Sequence, residues 1–180
     1  MHPANIALDF TYRDGISEAV LRNFLSRAQN CTLFDRDCEE VTEDLRMLFH
    51  TGAKLICRAA TPWTMGDWEF PHFEKMRYYI NLAHGADPEL IFESCIFESI
   101  YKTVETIPVP DYVFAAFGLG AQKRNFSYSA MLFPDGRFVD HWGPGGSVPD
   151  ITRLETQLWF YYRATLFIDL GFECLHLGQV

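Results

Sequence analysis

Two glutamates five residues apart, Glu93 and Glu98 in the segment IFESCIFES (91–99), are the first candidates for acid–base chemistry. Glycoside hydrolysis uses carboxylate pairs about 5 to 10 Å apart. On a strand, residues five apart face opposite sides and lie roughly 17 Å from one another. An extended segment therefore makes them separate cases. Glu98 falls where such a strand ends, which is where parallel α/β folds place their chemistry. It is the candidate acid/base, with a helix N-terminal carboxylate ahead of SIYKTVET as its structural alternative. Glu93 lies early in the strand and reads as a salt-bridged or hydrogen-bonded sheet residue.

The other apolar runs end in residues of similar character. Arg58 lies near the end of a strand-like run over 53–60, and the loop behind it carries Trp63 and Trp68. The last apolar run ends with His176 and Gln179, and Trp142 sits in a long aromatic loop. Indole faces stack on the apolar faces of sugar rings, while carboxylates and amides bind hydroxyls. This predicts a carbohydrate site in which Arg58, Trp63, Trp68, Trp142 and Gln179 bind substrate and His176 assists Glu98 in catalysis. Each residue alone has a plainer reading: the tryptophans plug the sheet end, and His176 is a satisfied core histidine.

Other chemistries lack their signatures. None of the six histidines forms an HxH or HExxH ligand set, so no metal is expected. GLGAQKR and GPGGSVPD do not follow strands as nucleotide loops do, and no cofactor is expected. Asp140-His141 reads as a surface dyad. Cys57 and Cys95 fall inside strands with no base nearby in sequence, against a nucleophilic role.

The elements that position these residues share one grammar: helix, glycine, strand. An amphipathic run from about Glu43 reaches Gly52 before the strand at 53–60. A second helix ends near Gly85, with a strand from about Leu90. A third ends at Gly171, with Phe172 opening another strand. Each glycine suits the left-handed position that closes a helix. Thr152 and Glu155 have capping-box spacing at the start of the third helix. The strands are near-continuous apolar runs, as in sheets covered on both faces, so repeated helix–strand units predict a parallel α/β fold in a single domain. Residues 17–29 predict a helix with Leu21, Phe24 and Leu25 inward, and NIALDF an additional strand. The proline- and glycine-bearing excursion over 107–150 is where binding surface is expected, with FPDGRF as a hairpin turn.

The chain has 180 residues, 48% of them hydrophobic, and a formal charge of −9. That suits one packed domain and argues against a nucleic-acid partner, since no basic stripe is present. No apolar segment is long enough to span a bilayer. Five scattered cysteines without a CxxC pair fit reduced thiols and a cytoplasmic location.

TGAKLICRAATPW, ESCIFESI and FIDLGFECLHLGQV resemble strand-and-loop segments of glycoside-hydrolase-like (β/α)8-barrel proteins, from Gly52 onward. The resemblance implies a glutamate at the end of a middle strand as general acid, a position Glu98 matches, and a second carboxylate on a later strand, which no residue here matches. A full barrel takes about 250 residues, so the chain is expected to be the N-terminal part of a TIM-barrel-like domain. An open parallel edge then makes a homo-oligomer one expected outcome. The expected ligand is a small molecule or an oligosaccharide. The alternative is a non-catalytic carbohydrate-binding or scaffold protein on the same frame.

Overall fold

A computed structural model describes residues 15–34, 38–62 and 69–178. Its centre is a parallel sheet of four strands: β1 (Ala28–Asn30), β2 (Leu55–Ala60), β3 (Ile91–Ile96) and β6 (Cys174–Leu177), in that spatial order. The helices α2 (Cys38–Thr51), α3 (Glu69–Ala86) and α6 (Leu154–Leu170) lie between these strands in the chain, with two short helices, α4 (Asp111–Ala116) and α5 (Tyr128–Met131), ahead of α6. Right-handed crossovers that always advance in one direction put their helices on one face of the sheet.

The burial pattern agrees. Ile56 pairs with Phe92, both fully buried, and their face joins one core with Leu45 and Leu48 of α2, Ile80 of α3 and Phe167 of α6. Phe34 and Phe172 close that core: Phe34 meets the Phe92 ring at a tilt and the Phe172 ring edge-on. The opposite face holds Leu55 and Ile91, with Glu93 beside Cys174. Near the strand starts it is met by α1 (Glu18–Ser26), whose Phe24 shares an apolar groove with Leu55, Ile91 and Cys174.

Several expectations need correction. The segment 17–29 is not one helix: Ser17 caps α1, which ends at Ser26, and Ala28–Asn30 pairs with β2 as a strand. Within α1 Val20 and Phe24 are buried, whereas Leu21 and Leu25 are 41% and 60% exposed. The inward pair is thus four apart, as one helix face requires. The capping box is not formed. Thr152 donates from N and Oγ1 to Asp150 Oδ1, at 3.0 and 2.7 Å, and Arg153 occupies the N-cap without a side-chain bond. FPDGRF does turn, with Gly136 N–H donating to Phe133 O, but no strands flank it. The NIALDF strand lies outside the described residues. Gly52, after α2, and Gly171, after α6, take the expected left-handed conformation at φ 72° and 108°, whereas Gly85 does not close its helix: α3 runs through it to Ala86.

The base of the sheet is tied by charge. Lys54 meets Asp87 at 2.5 Å and Glu89 at 3.1 Å, ahead of β2 and β3. Glu173 accepts from Phe92 N–H at 3.0 Å and lies 2.9 Å from His84 Nε2, close in distance but not aligned as a hydrogen bond. The Glu173 carboxylate raises the His84 pKa above its ordinary value, against the opposing effect of burial. A raised folded-state pKa gives stability that is complete below the unfolded value near 6.5 and is lost as pH rises through the folded value. With both side chains partly exposed the effect is under about 1 kcal/mol. Urea unfolding midpoints should therefore fall slightly from pH 6 toward 8, and His84→Gln should remove that component of the slope.

No helix among the described residues is long and apolar enough to cross a membrane.

Candidate functional site

The candidate site forms where β3 and β6 end. Glu98 lies two residues beyond β3. Its structural alternative, a carboxylate at the start of an α-helix, is not realised. SIYKTVET opens with a short strand, β4 (Ile100–Tyr101), and continues as a 3-10 turn, Lys102–Thr106. This segment therefore offers the carboxylate no α-helix N-terminus.

Strand β4 pairs antiparallel with β5 (Gly146–Ser147), so the far end of the long excursion returns to Glu98. The returning loop is fixed by its own polar groups. Ser147 Oγ contacts Tyr128 OH at 2.5 Å and accepts from Asp140 N–H at 2.9 Å. Asp140 Oδ1 accepts from Gly145 N–H at 2.7 Å. Phe138 and Asp140 take positive φ, 61° and 55°, conformations uncommon for residues other than glycine. The loop so held presents His141 edge-on to Trp142, and Trp142 Nε1 donates to the Glu98 carbonyl at 3.3 Å.

The result is a cleft of about 410 Å³, within the range of small-molecule sites. Glu98, Trp142, His141, Arg137, Phe133 and Asp150 are among its lining residues. Trp142 is 37% exposed. Arg137 lies over the Phe133 ring, 4.1 Å from its centroid. Asp150 is buried and bonded to Thr152, contacts that lower its pKa below the ordinary carboxylate value and keep it ionised at neutral pH.

Glu98 and Trp142 are thus brought together. Arg58 and His176 do not line this cleft; they belong to the sheet below it. Arg58 sits in an irregular stretch of β2 at φ 56°, its N–H donates to Glu93 Oε2 at 2.9 Å, and its guanidinium lies 5.5 Å from the Phe97 ring centroid. His176 is exposed on β6, paired in register with Cys95. Trp63, Trp68 and Gln179 lie outside the described residues.

Glu93 has the sheet role expected of it. Besides Arg58 N–H it receives the Cys174 thiol, at 3.8 Å. Burial and the neighbouring carboxylate push the Cys174 thiol up to about 11 and raise that of Cys57 as well. Both thiols stay protonated at neutral pH, which makes them poor nucleophiles. Among the described residues no group of three His, Cys, Asp or Glu side chains is arranged to hold a metal.

Sequence reasoning missed Phe133, Arg137, His141 and Asp150 as cleft residues, although all four fall in the excursion expected to carry binding surface. The chain matches no family model, no curated protein and no solved structure.

Proposed function

We propose that this cleft binds a carbohydrate and that Glu98 is the acid/base of a glycoside-hydrolase-like reaction. One observation carries the reading: Glu98 and Trp142 line one sugar-sized cleft just beyond the C-terminal end of β3. A pyranose stacked on Trp142 would present its glycosidic oxygen toward Glu98. Protonation of that oxygen by Glu98 lets the bond to the anomeric carbon break, and water supplies the new hydroxyl and the returning proton. Arg58 and His176, on the sheet beneath, shape the charge around the strand ends. In this reading the four parallel strands are part of a TIM-barrel-like frame, and the free thiols of the described cysteines fit a cytoplasmic enzyme.

A second reading, a non-catalytic carbohydrate binder, is favoured by one observation. Asp150, the other carboxylate in the cleft, is already engaged by Thr152. A panel of 4-nitrophenyl glycosides, with calorimetry on neutral oligosaccharides, separates the two. Turnover supports the enzyme, and binding without turnover supports the binder. A negative result in both assays removes the carbohydrate reading. On either reading, Trp142→Ala should weaken oligosaccharide binding at least about tenfold, since it removes the stacking surface.

A further inference from the structure

We infer that Gly178 is a positioning residue for Glu98, and that the carboxylate occupies the space a side chain at 178 would fill. This rests on the reading of Glu98 as the working carboxylate, but its geometry stands independently. A Cβ built on Gly178 would overlap Glu98 Oε2, and it would lie 3.2 Å from Glu98 Cδ and 3.0 Å from the Glu98 backbone nitrogen. The three atoms nearest that Cβ all belong to Glu98. The overlap is with the far end of Glu98, which rotation can relieve, while the backbone nitrogen makes a tight contact that side-chain rotation leaves in place.

The backbone does not explain the glycine. Gly178 is not among the glycines with positive φ, in contrast to Gly171 at the end of α6. An L residue can therefore adopt its conformation, and what excludes a side chain is the occupied space. The chain is held against β3 at this point, because Gly178 N–H donates to Ile96 O at 2.9 Å. Moving Gly178 away to admit a methyl group would break that bond.

Glu98 is consequently fixed from two directions. Trp142 donates to its carbonyl from the excursion, and the bare backbone of Gly178 receives its carboxylate from the β6 side. Catalytic groups must be held within a fraction of an ångström of their working geometry. Residue 178 therefore sets where the carboxylate points without itself touching substrate. The missing side chain makes the room, and the longer arm of glutamate over aspartate fills it.

Complementary size changes test this. Gly178→Ala should lower the melting midpoint by roughly 3–8 °C, the usual range for overpacking in a domain of this size. Glu98→Asp shortens the arm by one methylene and vacates the space. In that background the same Gly178→Ala substitution should cost less than about half as much. In a Glu98→Gln background, where size is kept and charge is lost, the full cost should remain. An equal cost in all three backgrounds would overturn the inference, because no coupling would join the two residues.

A second readout separates positioning from packing. On the fastest 4-nitrophenyl glycoside, Gly178→Ala should lower kcat at least about tenfold with KM within about threefold. Size coupling with unchanged kcat would show the shared space but overturn the positioning role. If no glycoside is turned over, the enzyme reading fails while the unfolding cycle still decides whether Glu98 and Gly178 share one space.

Discussion

Replacing Glu98 by glutamine should lower kcat on a hydrolysed 4-nitrophenyl glycoside by about 10²–10⁴-fold, the usual worth of a positioned acid or base. The amide has nearly the same size, so it still fits against Gly178, and the Trp142 bond to the backbone carbonyl is untouched. What is lost is the proton that the leaving oxygen needs. KM should therefore change little and the thermal midpoint should stay within a few degrees. Clear retention of activity in this variant would remove Glu98 from the mechanism and leave the cleft as a binding site.

The largest expected effect on stability lies at Glu155, which is not among the residues lining the cleft. Its carboxylate receives both arms of Arg124, at 2.7 and 2.8 Å, and the backbone N–H of Ser127 at 2.9 Å. It is 8% exposed, and Arg124 also lies over the Phe114 ring, 5.1 Å from its centroid. Bidentate pairing with an additional backbone donor satisfies the carboxylate. Glu155→Ala removes the carboxylate from a half-buried guanidinium, which keeps Gln122 and Asn125 as acceptors, and from the Ser127 N–H. The loss should be about 2–3 kcal/mol, somewhat less than for a fully buried pair because Arg124 keeps contact with water. A fall in the urea midpoint with an unchanged slope would record it. A loss below about 0.5 kcal/mol would mean that packing of the nearby Phe126 and Trp159 rings alone holds this segment.

Glu155 also shows what sequence can reveal. Thr152 and Glu155 have the spacing of a reciprocal cap, and that spacing is a sound reason to expect one. The tertiary structure supplies Glu155 with a stronger donor from Arg124, distant in sequence, and Asp150 claims Thr152 locally. Local propensity loses to long-range charge. Strands β2, β3 and β6 and the helices before them are legible because apolar periodicity acts within a few residues, whereas the short elements of the excursion are not. Neither is strand β1: three residues, AQN, carry little hydrophobic signal, and their pairing with β2 is what makes them a strand.

The candidate site divides along the same line. Glu98 could be found because strand ends are readable from the chain. Trp142 stands out by its chemistry, but its meeting with Glu98 depends on β4 pairing with β5 across more than forty residues. His141 reads as a surface residue, and it is on the surface; the loop that carries it returns to Glu98. Phe133 and Arg137 belong to a turn whose position sequence could not give, because nothing local says where an excursion returns.

The irregular stretch in β2 has a consequence for how this sheet tolerates change. From Ile56 to Ala60 the strand uses four steps where its neighbour uses two, from Phe92 to Ser94. Because side chains alternate with a period of two, an even surplus preserves the reading frame of the pleat. Ala60 and Ser94, partners beyond the irregularity, are both fully buried, as are Ile56 and Phe92 before it. Loss of two residues here would shorten the strand yet keep its inside and outside; loss of one would exchange them for everything downstream in β2.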